Sequence, residues 1–324
     1  MTVPAMTVPA EPLTWILTDG TVGMEVQCLG LANAAGLFPI IKHIAPSLML
    51  RALPTLGAMP GVPAASGGDP IVPPWPDVVI SCGRRTAGAA LAIKRLGGGK
   101  PFLAHIQDPR LNPALFDLLI VPQHDPTRGP NVITTLGALN PHDTTRLAEA
   151  AEPWMARIAG LPHPRVAVNV GGSNKRYRFS PNAVARFVDQ LRQLTDTTGG
   201  SLLVAASRRT DPATRQALAA GLADRPALVW TGDGDNPYLA FLHLADAIVV
   251  TSDSVNMVSE ACTTGKPVHV ATVEPESGRL AVFHARLRAG GYTRAFEGRL
   301  ERWDYTPLDE TQRVGVLLRK RLGL

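Results

Sequence analysis

The stretch Ala247-Ile-Val-Val-Thr-Ser-Asp-Ser-Val-Asn-Met-Val-Ser-Glu-Ala-Cys-Thr-Thr-Gly-Lys-Pro267 decides the fold class. Ala247 to Thr251 is a short apolar, β-branched run, the pattern of a buried strand. Ser252, Asp253 and Ser254 follow with side-chain oxygens able to cap the free N–H groups of a helix. Val255, Val258, Ala261 and Cys262 recur at helical spacing and are expected to face a sheet. Asp253, Asn256 and Glu260 are expected on the opposite, polar face. Gly265 fits the left-handed position that ends a helix, Pro267 blocks its continuation, and Pro267 to Val273 reads as the next strand. This is a strand–helix–strand unit with hydroxyls and a carboxylate at its carboxyl end. In open α/β sheets ligands bind at that edge, and the helix N-terminus there favours an anion.

Upstream, Arg165 to Val170 reads as another buried strand, and Gly171, Gly172, Ser173 and Asn174 follow at its end with Lys175, Arg176 and Arg178 close behind. Small residues there permit backbone contact with a phosphate, and the cations add charge. A plain turn with solvated arginines has the same composition. Ser201 to Ala206 is a strand ending in Ser207-Arg208-Arg209-Thr210. Adjacent arginines point to different sides, so one of the pair reaches a ligand, and Arg208 is the candidate. Ala227 to Trp230 is a further strand, running into Thr231-Gly-Asp-Gly-Asp-Asn-Pro-Tyr238, where Asn236 and Tyr238 are candidates.

The first half carries the same pattern. Trp15 to Thr18, Phe38 to His43, Val78 to Ser81, Phe102 to Ile106 and Asp117 to Val121 read as strands. Polar clusters close four of them: Asp19, then Arg84 and Arg85, then Asp108 and Arg110, then His124 and Asp125. Four such clusters argue for a shared cleft at the carboxyl edge of a parallel sheet. The glycine-bearing turn Asp19 to Gly23 is not GxGxxG, and Gly97-Gly-Gly-Lys100 ends a helix and leads into Pro101, so neither is a nucleotide fingerprint. Between Pro46 and Pro76 the chain is rich in Pro, Gly and Leu. It is either an ordinary proline-rich loop with buried leucines or an apolar patch, rimmed by Lys42, His43 and Arg51, that rests on a membrane.

At 324 residues, 45% apolar and 18% charged, the chain is globular and long enough for two domains. The net charge of +5 is spread over isolated arginines with no aromatic-interleaved basic stripe, so a phosphate-bearing small ligand or an anionic surface is expected rather than nucleic acid. Cys28, Cys82 and Cys262 lack CxxC spacing and are expected to be buried free thiols in a reducing compartment. No DxD or His/Cys spacing suggests a metal, and no cofactor is expected. No export signal or membrane-spanning run is visible, so the expected location is cytoplasmic, with peripheral contact on the inner face of the membrane. Met1–Ala5 recurs as Met6–Ala10 and stands apart from the fold.

Val258-Ser-Glu260, four residues, Gly265, one residue, Pro267 resembles the nucleotide-sugar motif of GT-B glycosyltransferases, the peptidoglycan N-acetylglucosaminyltransferase most of all. The resemblance implies an α/β fold of two Rossmann-like domains facing across a cleft. It implies that Glu260 grips ribose hydroxyls, that the helix start faces a diphosphate near the Gly171 to Asn174 loop, and that the Asn236 to Tyr238 loop touches the nucleobase.

A wider set of motifs resembles the "elongate mitochondria" fission family: Trp15…Thr18-Asp-Gly…Gly23-Met-Glu-Val-Gln27, Gly83-Arg-Arg85, Ile106-Gln-Asp-Pro-Arg110, His124-Asp125, Gly171-Gly-Ser-Asn174, Ser207-Arg-Arg-Thr210, Asn236-Pro-Tyr238 and Thr251-Ser-Asp-Ser-Val…Val258-Ser-Glu-Ala261. On these motifs the chain is identified as a bacterial member. The family's plant member recruits a dynamin-related GTPase to mitochondria, which implies an adaptor or scaffold as the alternative to an enzyme.

The expected organisation is a disordered tail over 1–12, an acceptor-side domain over 13–150, a nucleotide-sugar domain over 151–303, and a helix over 304–324 that packs back on the first domain. The expected activity is transfer of a sugar from a UDP-type nucleotide sugar to a lipid-linked or cell-envelope acceptor. An inverting transferase needs a base, for which Glu25, Asp19, and His124 with Asp125 are the candidates. The lack of GxGxxG and of a Tyr-x-x-x-Lys pair argues against a sugar-nucleotide epimerase or dehydrogenase.

Overall fold

The computed structural model describes residues 11–173, 179–273 and 278–324. The chain forms two compact units. Unit 1 holds the residues through Thr135 together with Leu139–Pro141 and Thr311–Leu324; unit 2 holds Leu136–Ala138 and His142–Glu310.

Unit 1 is built on an all-parallel sheet of β1 (Thr14–Thr18), β2 (Pro39–His43), β3 (Val78–Cys82), β4 (Phe102–Ile106), β5 (Leu118–Pro122) and β6 (Val132–Thr135), in the order β2-β1-β3-β4-β5-β6. Its helices in this part of the chain are α1 (Val22–Ala34), α2 (Leu48–Ala52) and α3 (Arg84–Leu96). β1 and β3 are buried along their whole length because helices cover both faces, which is why they read as unbroken apolar runs. Ile16, Ile80, Ile106 and Ile120 pack with Cys28 and Leu31 of α1 on one face. Leu17, Val79 and Leu103 pack with Ala89, Ala90 and Ile93 of α3 on the other.

The Pro46 to Pro76 stretch has a buried leucine, as the loop expectation held, and also exposed apolar side chains. It contains α2 and a 3-10 turn, Pro54–Ala58, seated on α3 so closely that a Cβ at Gly57 would fall 1.9 Å from the Gly88 carbonyl oxygen. Leu50 is buried there, while Leu48 (79%), Leu53 (59%), Met59 (52%) and Met49 (47%) are exposed.

Unit 2 runs α4 (Thr144–Ile158), β7 (Arg165–Val170), α5 (Pro181–Thr198), β8 (Ser201–Ala206), α6 (Pro212–Gly221), β9 (Ala227–Trp230), α7 (Tyr238–Leu244), β10 (Ala247–Thr251), α8 (Val255–Cys262), β11 (Val268–Ala271), α9 (Gly278–Ala289) and β12 (Thr293–Ala295). Its strands are again all parallel, in the order β12-β11-β10-β7-β8-β9. Val166, Val168 and Val170 of β7 meet Phe187 and Leu191 of α5 and Leu218 of α6 on one face. Ala167, Leu203, Ile248 and Val250 meet α4, α7, α8 and α9 on the other, through Trp154, Phe241, Val258 and Phe283. Ser254 caps α8 by accepting from the Met257 N–H (3.4 Å), and Gly265 lies in the left-handed region at φ +73°.

The chain returns to unit 1 with α10 (Glu310–Leu322), which spans the boundary residue Glu310. Val314 and Leu318 enter the α1-side core, and a Cβ on Gly315 would stand 2.5 Å from the Ala34 side chain. Arg319 donates to the Ala35 carbonyl (2.9 Å), a cation at the carboxyl end of α1.

Both sheets are doubly wound, but they reverse at different places. In unit 1 the order turns back between β1 and β3, in unit 2 between β7 and β10. Loops at the carboxyl ends flanking such a reversal form the ligand crevice of open α/β sheets.

Candidate functional site

At the reversal in unit 2, β7 runs into Gly171 and Gly172, and β10 into Thr251 to Asp253. The Gly171 N–H donates to Thr251 Oγ1 (2.8 Å) and the Gly172 N–H to Asp253 Oδ2 (3.0 Å). The Thr251 hydroxyl donates to Asp253 Oδ1 (2.7 Å), and Arg209 Nη2 to Asp253 Oδ2 (2.9 Å). Thr210 closes the cluster with a hydroxyl on the Gly171 carbonyl. Glycine is required at both loop positions: a Cβ on Gly171 would lie 2.1 Å from Asp253 Oδ1, and one on Gly172 2.1 Å from the Arg209 carbonyl oxygen. Both glycine N–H groups are therefore taken by protein acceptors, and what the loop presents outward is small surface and the part-exposed Arg209 guanidinium.

Gly171, Gly172 and Asp253 are thus brought together, and the arginine that joins them is Arg209; Arg208 stays exposed. Ser173 is exposed and its Oγ accepts from the Phe179 N–H (3.1 Å). Asn174 lies outside the described residues. Ser252 is buried, and its carbonyl is held by His284 Nε2 at 2.8 Å.

Further along α8, Glu260 departs from the expected polar face. Val258 to Cys262 are all buried, and Glu260 is 7% exposed, its carboxylate met by Tyr238 at the start of α7 and by His142. The Tyr238 hydroxyl donates a hydrogen bond to Glu260 Oε2, and His142 Nε2 stands 3.8 Å from Oε1. Burial raises the Glu260 carboxyl above its usual range, and the hydrogen bond from Tyr238 offsets only part of that. Burial likewise pushes the Tyr238 hydroxyl well up, with the Glu260 charge adding to it. Burial, reinforced by Arg146, pulls His142 down to about 4, so near neutral pH its imidazole is uncharged and the 3.8 Å contact is no ion pair. A buried carboxylate that accepts a hydroxyl is suited to gripping a diol.

Asn236 is exposed; its Oδ1 accepts from the Tyr238 N–H (3.0 Å) and fixes the first turn of α7. Asn256 is half-buried in the first turn of α8. Lys266, between the motif's Gly265 and Pro267, donates to the carbonyls of Leu242 (2.8 Å) and His243 and so anchors α7 to the α8–β11 turn. Burial lowers its ammonium to about 8. Arg209, Thr251, His142 and Lys266 are the members of this site that sequence reasoning missed. For Thr251 and Lys266 the signal was their place inside the motif; for His142 there was none.

The candidate bases belong to unit 1 and do not gather at one point. Asp19 sits at the β1 end, accepting from the Thr21 N–H (3.1 Å) and Arg85 Nη1 (3.2 Å). Burial pushes its carboxyl up, but the hydrogen bonds from Thr21 and Arg85 outweigh this and hold it below its usual range, which weakens it as a base. Glu25 is half-buried in the first turn of α1. His124 and Asp125 follow β5, three strand spacings or ~14 Å across the sheet from β1. Arg128 braces their loop by donating to the carbonyls of Gln123, Asp125 and Thr127.

Among the described residues no group of three or more His, Cys, Asp or Glu is placed to hold a metal ion, and no helix is long and apolar enough to cross a membrane. A cavity of about 890 Å³ in unit 2, lined by His163, Asp246 and Trp303, opens at the amino ends of β7, β10 and β11, away from the glycine loop.

Two doubly wound α/β units of this kind define the GT-B fold class. The UDP-GlcNAc 2-epimerase from Methanocaldococcus jannaschii is similar over 96% of this chain and 99% of its own, with a TM-score of 0.60 at 14% identity. The UDP-GlcNAc 2-epimerase from Neisseria meningitidis bound to UDP-GlcNAc is similar over the same shares, with a TM-score of 0.55 at 14% identity. At such identity the likeness is one of fold. It corrects one expectation: an epimerase can have this fold, so the missing GxGxxG and Tyr-x-x-x-Lys do not argue against that class. The family described as "Mitochondrial fission ELM1" matches residues 22–322, and the chain belongs to that family. It is 34% identical over 275 residues to "Mitochondrial fission protein ELM1" of Arabidopsis thaliana, a match that covers 76% of this chain and 64% of the plant protein.

Proposed function

We propose that unit 2 binds a UDP-type nucleotide sugar and that the protein transfers the sugar to an acceptor. The observation that carries this reading is the Glu260 carboxylate, buried in α8 with a hydroxyl already hydrogen-bonded to it. In the complex the ribose hydroxyls take that role. The start of α8, with Ser252, Ser254 and Asn256, meets the diphosphate, and Arg209 adds positive charge at the glycine loop. The Asn236 to Tyr238 turn borders the nucleobase. Leaving-group charge is met by the helix N-terminus and Arg209, without a metal. Of the bases, His124 with Asp125 is preferred over Asp19, whose proton affinity is lowered by Arg85, and over Glu25.

The acceptor is lipid-linked and reached from the cytoplasmic face of the membrane. What supports this is the rigidly seated segment that exposes Leu48, Met49, Leu53 and Met59 beside Arg51, with no carboxylate between Pro46 and Gly68. Its binding to vesicles is expected to need anionic lipid and to fall with Leu48→Asp.

A thermal-shift panel of UDP-, GDP-, CMP- and ADP-sugars tests the donor site. The UDP-sugar raises the melting temperature of the wild type and leaves that of Glu260→Ala unmoved. Flat curves throughout sink the reading and leave the adaptor alternative, which the family membership favours. The likeness to epimerases favours a second reaction at the same site, and analysis of the sugar after incubation without acceptor separates the two.

A further inference from the structure

β7 is apolar through its core with one exception. Asn169 lies between Val168 and Val170, is 0% exposed, and neither its Oδ1 nor its Nδ2 has a hydrogen-bond partner among the described residues. A buried carboxamide left unpaired at both ends opposes folding, and such groups persist where another role requires them.

Its position shows what that role is. Asn169 stands beside Val250 of β10 and Ala205 of β8 in register, so its side chain shares their face of the sheet, the one covered by α7 and α8. α7 packs over β7 and β8, and α8 over β10 and β11. The seam between the two helices therefore runs above the β7–β10 boundary, where the strand order reverses. The Tyr238–Glu260 hydrogen bond crosses that seam, and Asn169 projects into it from the sheet at the carboxyl end of β7.

We infer that the Asn169 carboxamide is a specificity-determining contact of the unit 2 site, pairing with a ligand group that presents a hydrogen-bond donor and an acceptor side by side. The inference rests on the nucleotide reading above. A diphosphate offers acceptors only and would leave Oδ1 unpaired, so the group is a neutral one. A uridine nucleotide carries two such groups, the 2′,3′-diol of the ribose and the imide edge of the base. Because Asn169 is closed off beneath the seam, the ligand reaches it only when Tyr238 leaves Glu260.

The test uses the full chain with UDP, 2′-deoxy-UDP and N3-methyl-UDP, followed by calorimetry and thermal shift in the wild type, Asn169→Leu and Asn169→Ala. Both variants are expected to bind UDP roughly 10- to 100-fold more weakly than the wild type. Without nucleotide, Asn169→Leu melts at the same temperature as the wild type or higher, since an unpaired polar group has been replaced by an apolar one of similar shape. The analogue that lacks the amide's partner weakens binding to the wild type and not to the variants: 2′-deoxy-UDP for the diol, N3-methyl-UDP for the imide. Variants that bind UDP as the wild type does overturn the inference. So does a lowered melting temperature of Asn169→Leu without nucleotide, which means the amide is already engaged by solvent. A wild type that binds no nucleotide removes the parent reading and this contact with it, a result distinct from a binding wild type with indifferent variants.

Discussion

Each unit places a carboxylate beside an arginine where its strand order reverses, Asp19 with Arg85 at 3.2 Å and Asp253 with Arg209 at 2.9 Å. The two pairs have different work. Asp19 completes a local turn; its side chain is 8% exposed and that of Arg85 57%, so water reaches the pair from the arginine side. The Asp253 side chain is 1% exposed and takes donors from three strand ends: Gly172 after β7, Arg209 after β8 and Thr251 closing β10. One carboxylate decorates a turn. The other locks the carboxyl edge of a sheet, so identity at a strand end says little about availability for chemistry.

Substitution is the most direct way to break that contrast. Asp253→Ala leaves the buried Gly172 N–H and Thr251 hydroxyl without their acceptor and frees the part-exposed Arg209, and is expected to cost about 2–4 kcal/mol in urea unfolding. Asp19→Ala is expected to cost ~1 kcal/mol or less; equal losses would erase the distinction. The glycines sharpen it. Gly172→Ala drives a methyl into backbone at 2.1 Å and is expected to cost about 3 kcal/mol. Gly20→Ala meets nothing within 4 Å and pays only for its φ of +81°, about 1 kcal/mol.

A smaller, graded effect comes with pH. Burial holds His105 of unit 1 down to about 3 and His142 and His269 of unit 2 down to about 4. The unfolded chain binds these protons more readily than the fold does. Their contribution is therefore complete above the unfolded value near 6.5 and is lost as pH falls toward 4, by ~2 kcal/mol for each by pH 5. Glu260, raised by burial, acts in the opposite sense: its folded form favours the proton, and stability declines as pH rises through its folded value. Melting temperatures should fall steadily from pH 7 to 4.5, and His142→Gln should flatten the part of the slope that belongs to unit 2.

Much of the architecture was legible because both faces of each sheet are covered. β1, β3, β7, β8 and β10 then appear as unbroken apolar runs that nothing else explains. β6 has no such signature, being a four-residue edge strand with two threonines and only one fully buried position. Seven-residue α7 follows Pro237 and reads as a featureless apolar run. Its invisibility had a consequence for the site. Helical periodicity assigns Glu260 to a polar face, and only Tyr238 at the start of α7 and His142 before α4, both distant in sequence, turn its carboxylate inward. Gly171 and Gly172 stand out in the sequence as a phosphate loop; the structure shows their N–H groups committed to Thr251 and Asp253. Choosing Arg209 over Arg208 required knowing where Asp253 lies, and Asn169 is concealed because its neighbours make β7 look uniformly apolar.

The helix α10 closes the core of unit 1 with Val314, Leu318 and the tight Gly315–Ala34 approach, although it is more than 170 residues downstream of β6. During synthesis on the ribosome, the first half of the chain therefore emerges with its α1 face uncovered and stays so while unit 2 is translated. Unit 2, nearly continuous in sequence, can complete its own sheet first. Nascent unit 1 must wait, and it is the half that needs shielding from aggregation until residues 311–324 are released.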